Sequence, residues 1–324
     1  MAETLLKVND LQVAFSTPRG EFRAVSGVNF SIQTGQFYGI VGESGCGKTI
    51  TGRAILKLVP PPGRIVGGQI LYHNNDVVQM SESEMRQIRG RCISMVFQDP
   101  AAALNPLFTI GQQISAVMKR HKMGSNDTIH ENAIHLLNDL GLSDAELVYD
   151  SYPHRLSGGM QQRAMIAMAL CAKPDLIIAD EPTSALDVTI QNQILELLVQ
   201  TQRERGVTII LITHDLGVVA ETCDEVAVFY LGRIVEKGTI GEIFHYTSHP
   251  YTKGLLAALP NPKKLQQELS VIPGMIPSNP DALRGCPFEP RCFARMTKCG
   301  LIDPPTVRLS TSHQVNCHLF NRVD

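Results

Sequence analysis

The sequence LSGGMQQR at residues 156–163 decides how this chain of 324 residues folds. It lies between a second glycine-rich segment, GESGCGKT at 42–49, and an apolar run that ends in two carboxylates, LIIADE at 176–181. Its two glycines expose backbone N–H groups, and the residues after them predict the start of a helix, a combination that suits an anion. A chain with one complete phosphate loop needs a second anion cradle only if that cradle serves the nucleotide of another chain.

The segment at 42–49 matches the phosphate-loop pattern G-x-x-x-x-G-K-[ST]. A buried strand, Phe37–Val41, precedes it, and a helix over Thr49–Leu58 follows and is ended by prolines. Backbone N–H groups of such a loop wrap phosphates, Lys48 neutralises their oxygens and Thr49 ligates Mg²⁺. For Cys46 we expect a packing role, with a redox switch as the alternative. The predicted nucleotide-binding residues are Gly42, Glu43, Ser44, Gly45, Cys46, Gly47, Lys48 and Thr49.

Two adjacent carboxylates, Asp180 and Glu181, end the apolar run at 176–179. At the end of a buried strand such a pair is costly unless it serves a cation or a proton transfer. We expect Asp180 to hold Mg²⁺ through water and Glu181 to accept the proton of the attacking water, with a structural salt bridge as the alternative. His214 follows the next strand, Val207–Ile212, and the order of the motifs predicts that it contacts a γ-phosphate.

Apolar patterning along the rest of the chain predicts an α/β fold. Alternation in three early segments predicts a small antiparallel layer, made of Leu6–Phe15, Val28–Ile32 and Gln69–Tyr72. Four short apolar runs suit a parallel sheet covered on both faces, namely Cys92–Phe97, Leu176–Ala179, Val207–Ile212 and Glu225–Leu231.

Helical patterning separates these strands. The stretch Val188–Arg205 predicts a helix that ends at Gly206, with one apolar face formed by Ile190, Ile194, Leu197 and Leu198. Between Ile110 and Leu170 the patterning is mainly helical, so we predict a helical subdomain inserted at about 99–169. Prolines become frequent after Leu259, and a domain boundary is predicted near 258–262.

Composition limits the class of partner. The chain has 29 basic and 31 acidic residues and a net charge of −2, so it lacks the basic footprint of a nucleic-acid-binding protein. Its longest apolar runs fall short of the ~20 residues that span a bilayer, and its first residues lack the pattern of a signal peptide. We therefore expect a cytosolic chain that works at a membrane only through other subunits.

Four of the eight cysteines cluster near the end of the chain: Cys286, Cys292, Cys299 and Cys317. Disulfides are rare in the cytosol, so the cluster indicates metal or redox chemistry. Four thiolates can hold a [4Fe–4S] cluster or a structural zinc ion. Close cysteine pairs, which zinc ribbons use, do not occur here, and this favours iron–sulfur only mildly. Unligated cysteines, and His318 as a substitute ligand, stay open.

The order of these motifs resembles that of ABC ATPases over about residues 5–258. The resemblance implies that Phe15 stacks on adenine, with Phe22 as the alternative. It also implies that Gln98 contacts Mg²⁺ and the attacking water and senses the membrane subunit. Asp187 would belong to the loop that links two ATP sites. The residues that would face the γ-phosphate held by the opposite subunit are Ser157, Gly158 and Gly159.

The tail is similar to the C-terminal extension of bacterial oligopeptide/dipeptide importer ATPases. The segments that carry the similarity are HPYT at 249–252, LLAALP at 255–260, RGCPF at 284–288 and PRC at 290–292. This resemblance implies an ATPase for peptide import, bearing a [4Fe–4S] cluster, on the cytoplasmic face of the bacterial inner membrane. The partners would be a second ATPase subunit, expected as a paralogue, two permeases and an extracytoplasmic substrate-binding protein.

Other functions stay open at this point. Importers of the same subfamily also carry nickel or glutathione. A non-transport ABC ATPase of translation or DNA repair is a second alternative, although tandem cassettes and a long coiled coil are missing from the sequence. A third, non-enzymatic alternative is an iron or redox sensor, which only the cysteine cluster supports.

Overall fold

The structure is a computed structural model, and it describes residues 3–18, 20–184, 186–259, 272–275 and 284–321. The predicted domain boundary near 258–262 lies partly outside the described residues. The chain divides into two compact units. The first unit comprises Gln33–Gln36 and Gln79–Leu211, and the second comprises Glu3–Ile32, Phe37–Val78 and Ile212–Asp324.

Strands and helices alternate through most of the chain. The strands are β1 (Thr4–Thr17), β2 (Gly20–Gln33), β3 (Phe37–Val41), β4 (Gly63–Tyr72), β5 (Asn75–Asp76), β6 (Ile93–Val96), β7 (Leu176–Asp180), β8 (Thr208–Thr213), β9 (Glu225–Tyr230), β10 (Arg233–Thr239), β11 (Thr306–Arg308) and β12 (Gln314–Asn316). The helices are α1 (Lys48–Ile55), α2 (Glu82–Ile88), α3 (Pro100–Ala103), α4 (Ile110–Arg120), α5 (Asn126–Asp139), α6 (Ala145–Asp150), α7 (Gly158–Leu170), α8 (Val188–Arg205), α9 (Leu216–Thr222), α10 (Ile240–His245) and α11 (Pro250–Ala257). In the described part of the chain no helix is long and apolar enough to cross a bilayer.

The predicted antiparallel layer is confirmed in the second unit. Its strands lie in the order β2-β1-β4-β5, and β1 pairs with β4 so that Val8 faces Ile70 and Phe15 faces Gly63. Apolar side chains alternate with polar ones along β1, and its buried residues include Leu6 and Val8. One face of the layer is therefore covered while the other meets solvent.

The second unit also contains a mixed sheet. Strand β3 pairs in parallel with β9, as the apolar runs predict, and Ile40 lies opposite Ala227. The order then continues β9-β10-β12-β11 with antiparallel pairing. The sequence analysis missed β10, β11 and β12. Of these, β11 and β12 have three residues each and carry almost no periodic signal.

The first unit places β8, β7 and β6 side by side. Strands β6 and β7 are parallel, with Met95 opposite Ile178, as predicted. Helix α8 has the predicted bounds and ends at Gly206, whose φ of 65° suits a residue without a Cβ. Of its predicted apolar face, Ile194 and Leu198 are fully buried.

Helix α1 is shorter than predicted. It ends at Ile55, whereas the sequence analysis placed its end at Leu58. Lys57 adopts a left-handed φ of 50°, and three prolines begin at Pro60. Because proline restricts the residue before it to extended conformations, the chain leaves the helix early in order to enter the turn.

Candidate functional site

The phosphate loop requires glycine at two positions for reasons that the fold supplies. Gly47 has φ 98°, and a Cβ there would lie 2.4 Å from the carbonyl oxygen of Ala24. A Cβ on Gly42 would lie 2.3 Å from the carbonyl oxygen of Phe229 on β9. Both contacts are with backbone atoms, which cannot move aside as a flexible side chain can. The loop therefore packs tightly against Ala24 and β9, which leaves no room for a Cβ at either position.

Lys48 is buried, with 4% of its surface exposed. Its ammonium group donates to the carbonyl oxygens of Gly42 at 2.7 Å and Glu43 at 3.0 Å. The charge is thus held over the loop, where phosphate oxygens would exchange with the carbonyl groups. Thr49, the predicted Mg²⁺ ligand, follows in the first turn of α1 and is half-buried.

Cys46 is buried beside this lysine, with its Sγ 3.8 Å from the Nζ of Lys48. Burial raises the pKa of the Cys46 thiol, although the nearby ammonium acts in the opposite direction. A thiol that stays protonated is a weak nucleophile. These features favour the packing role over the redox switch.

The two carboxylates after β7 differ in their surroundings. Asp180 is buried, and Glu181 has a left-handed φ of 46°. Such a φ is uncommon outside glycine and marks local strain, which functional sites often hold. The Nε2 of Gln98 donates to the Oε2 of Glu181 at 3.0 Å. The first unit thus brings the predicted base and the predicted water-positioning residue into direct contact.

The segment at 156–163 begins helix α7, as predicted. Ser157 is the N-cap, and its hydroxyl accepts from the N–H of Met160 at 3.4 Å. Gln161 braces the turn, because its Nε2 donates to the carbonyl oxygens of Pro153 at 2.9 Å and Leu156 at 3.1 Å. Ser157 and Gly158 are exposed. The N-terminus of helix α7, which has 13 residues, is therefore accessible to a ligand from outside the chain.

The two glycines of this segment have different roles. A Cβ on Gly159 would lie 2.9 Å from the Cγ2 of Ile190 on helix α8. A Cβ on Gly158 would meet nothing nearer than the Cδ2 of Leu186, at 3.7 Å, which is an ordinary contact. Packing within the chain explains Gly159, whereas it leaves room for a side chain at Gly158. Sequence reasoning had assigned one role to both.

Arg163 fixes the far side of the same turn, a role that the sequence analysis did not find. Its guanidinium donates to the carbonyl oxygen of Leu140 at 2.5 Å and to the Oε1 of Gln193 at 2.9 Å. These partners lie 23 and 30 residues away along the chain. No local spacing pattern could have indicated them, since they meet only when three helices pack together.

Three further predicted residues have local surroundings that can be described. Asp187 caps helix α8 and accepts from the N–H of Ile190 at 3.0 Å. His214 is exposed directly after β8. Phe15 is half-buried, and its ring lies over Gly63, where a Cβ would come within 2.6 Å of it. The missing side chain at Gly63 makes room for the Phe15 ring.

The four C-terminal cysteines line one pocket, together with Phe288 and His318. Burial raises the pKa of Cys286 to about 11, and the other three sulfurs add to the rise. Four thiols form a donor set that suits iron–sulfur or zinc chemistry. Among the described residues, however, no group of three or more Cys, His, Asp or Glu forms a metal site. The pocket has a volume of about 10 Å³, roughly the space of one water-sized sphere, so its walls would have to move apart to admit a [4Fe–4S] cluster.

Comparison with protein families matches the chain in two places. The family described as ABC transporter matches residues 25–184, which include the phosphate loop, the segment at 156–163 and the two carboxylates. The family described as oligopeptide/dipeptide transporter, C-terminal region, matches residues 235–299. This second match includes three of the four clustered cysteines.

Curated relatives are similar over nearly the whole chain. The dipeptide transport ATP-binding protein of Bacillus subtilis is 48% identical, over 98% of this chain and 95% of that protein. The oligopeptide transport ATP-binding protein of the same organism is 46% identical, over 98% and 89%. The dipeptide transport ATP-binding protein of Escherichia coli K12 is 43% identical, over 97% and 96%.

Solved structures share the core. A dimeric ATP-binding cassette in a post-hydrolysis state with ADP and phosphate has a TM-score of 0.66 and 27% identity, over 72% of this chain and 98% of that one. A Clostridium perfringens subunit of a cbiONQ ABC transporter complex has a TM-score of 0.64 and 30% identity, over 76% and 92%. The chain belongs to the ABC transporter ATP-binding protein family, in the branch that carries the oligopeptide/dipeptide transporter C-terminal region.

Proposed function

We propose that this chain hydrolyses ATP and thereby powers the import of peptides across the cytoplasmic membrane. The observation that carries the proposal is the similarity over 97–98% of the chain to proteins named for dipeptide and oligopeptide transport. The site supports the same reaction. Its phosphate loop holds a buried lysine, and Gln98 contacts the carboxylate of Glu181 at the end of a buried strand.

In this proposal the phosphate loop and Lys48 bind the β- and γ-phosphates. Glu181, oriented by Gln98, accepts the proton of the attacking water. Mg²⁺ would be held by Thr49, Asp180 and Gln98, and would neutralise charge on the phosphate oxygens. The hydrogen bond between Gln98 and Glu181 supports this assignment, because it orients the carboxylate of the proposed base.

Recognition of the rest of the nucleotide falls to other residues. His214 contacts the γ-phosphate and Phe15 stacks on adenine. The exposed N-terminus of α7, with Ser157 and Gly158, faces the γ-phosphate held by a second ATPase subunit. Asp187 lies in the loop that joins the two sites. The exposure of Ser157 and Gly158 supports a ligand that comes from outside the chain.

We propose that the complex also contains two permeases and an extracytoplasmic substrate-binding protein, with a paralogue as the second ATPase. The chain would lie on the cytoplasmic face of the bacterial inner membrane. We assign residues 1–258 to the nucleotide-binding domain, with a helical subdomain at about 99–169, and residues 259–324 to the extension.

The extension is proposed to hold a [4Fe–4S] cluster, with zinc as the alternative. Convergence of Cys286, Cys292, Cys299 and Cys317 on one pocket supports it. Protein purified without oxygen should contain iron and acid-labile sulfide. Cys317→Ser should lose this iron, whereas Cys171→Ser, a buried cysteine outside the pocket, should keep it. Stoichiometric zinc in place of iron would overturn the assignment.

The test of the function is transport by the reconstituted complex. Vesicles that contain all subunits should accumulate peptides when ATP is supplied, and import of nickel or glutathione alone would contradict peptide specificity. Glu181→Gln should bind ATP and lock the ATPase dimer without turnover. Glu196→Gln, an exposed acid on α8, is the matched control. Undiminished ATP turnover of the Glu181→Gln variant would contradict the assignment of Glu181 as the base.

A further inference from the structure

An ion pair joins the C-terminal segment, residues 284–321, to the phosphate loop. The guanidinium of Arg291 donates to both oxygens of the Glu43 carboxylate, at 2.7 Å and 3.0 Å. The two residues are 248 positions apart in the chain. The Arg291 side chain is 5% exposed and the Glu43 side chain 27% exposed. A bidentate pair at such burial is geometrically specific and poorly screened by salt.

Several contacts hold Arg291 in this position. Its Nε donates to the carbonyl oxygen of Pro273 at 3.1 Å, and its Nη1 donates to the hydroxyl of Tyr230 at 3.4 Å. The guanidinium carbon also lies 5.8 Å from the centre of the Tyr230 ring. The arginine is therefore a fixed charge, and its place depends on the fold of the C-terminal segment.

Glu43 is fixed at its backbone as well. Its N–H donates to the hydroxyl of Tyr251, on helix α11, at 3.1 Å. Tyr251 packs against Tyr230 and Phe288, with ring centres 4.7 Å and 5.2 Å away, and Phe288 belongs to the C-terminal segment. One aromatic cluster thus supports both residues that hold Glu43.

Glu43 is the second residue of the phosphate loop, and its carbonyl oxygen accepts from Lys48. An uncompensated carboxylate at this point would repel the phosphates of ATP and compete with them for the lysine. A positive charge paired with it removes that repulsion. The pair therefore sets the electrostatic potential of the loop as well as its shape.

We propose that Arg291 is a positioning residue of the nucleotide site: the C-terminal segment supplies the cation that cancels the charge of Glu43 and holds the phosphate loop ready for ATP. The inference rests on ATP binding at this loop. Arg291 directly precedes Cys292, which lines the cysteine pocket.

The proposal predicts opposite effects for the two halves of the pair. Arg291→Gln should weaken ATP binding about tenfold, or about 1.4 kcal/mol, because it leaves the carboxylate of Glu43 uncompensated. Glu43→Gln should bind ATP more tightly than the wild type, because it leaves the positive charge of Arg291 uncompensated near the phosphates. The double variant should return to within about threefold of the wild type. Arg291→Lys, which keeps the charge and loses the fork, should fall between.

The measurement is the dissociation constant of ATP by titration calorimetry on the full chain, with the melting temperature recorded in parallel. If the pair only anchors the C-terminal segment, both single variants should lower the melting temperature and weaken ATP binding alike, and the double variant should not recover. That outcome overturns the proposal, and so does unchanged affinity in Arg291→Gln. Lys48→Ala identifies a different failure: equal ATP affinity in this variant and the wild type would contradict the nucleotide site itself.

Discussion

The contrast between Gly158 and Gly159 separates packing from recognition at the start of helix α7. In Gly159→Ala the new Cβ lies 2.9 Å from the Cγ2 of Ile190. That carbon is a β-branch with little rotamer freedom in a helix, so the two helices must separate slightly. Overpacking of this kind costs about 1–3 kcal/mol. Alanine is also more favourable than glycine in a helix, by up to about 1 kcal/mol, which offsets part of this cost. We expect a net loss of about 1 kcal/mol and a melting temperature lower by about 1–2 °C.

In Gly158→Ala the balance is reversed. The nearest atom to the new Cβ is 3.7 Å away, so the chain keeps its packing and the helix gains propensity. The melting temperature should be unchanged or slightly raised. In the assembled transporter this surface is proposed to face the γ-phosphate of the ATP bound by the partner subunit. The new methyl group would displace that phosphate by about 1 Å, which should lower ATP turnover about 100-fold.

The assay pairs thermal denaturation of the purified subunit with ATP turnover of the reconstituted complex. ATP binding to the isolated Gly158→Ala subunit should equal that of the wild type, since its own phosphate loop is untouched. Wild-type turnover in the complex would refute the role of Gly158 in recognition. A destabilised Gly158→Ala subunit would refute the packing argument.

Three further predictions concern single contacts. Burial lowers the pKa of His249 to about 3 from 6.5. The unfolded chain therefore takes up a proton at His249 at higher pH than the folded chain does. Denaturant unfolding should show a loss of up to about 1.4 kcal/mol of unfolding free energy per pH unit below about 6.5. The variant His249→Asn, which keeps a helix cap, should lose less unfolding free energy over the same pH range. His313 bonds the fully buried carboxylate of Glu236 at 2.8 Å, so His313→Ala should cost about 2 kcal/mol of unfolding free energy, while His245→Ala on the exposed surface should cost almost none. Arg163→Lys should lose one of its two helix contacts and about 1 kcal/mol in urea unfolding, and unchanged stability would contradict the bracing role.

Local chemistry made much of the fold readable in advance. The bounds of β3 and α8 agree with the prediction because each is set by nearby residues: a continuous apolar run in one case, a capping aspartate and a terminal glycine in the other. The end of α1 was misplaced, because the turn before the three prolines claims residues that the helical pattern also fits. Strands β11 and β12 were missed because they have three residues each and join the sheet only where Val315 lies opposite Glu236, which is distant in the chain.

The sequence by itself determined the phosphate loop, the carboxylates after β7 and the family, because these depend on residue type at fixed short spacing. Only the tertiary structure decided that Gly159 serves helix packing while Gly158 does not, since Ile190 and Leu186 reach them across a helix contact. It alone paired Arg291 with Glu43 across 248 residues. Spacing records what neighbours along the chain can do, whereas burial and charge pairing depend on which distant segments the fold brings together.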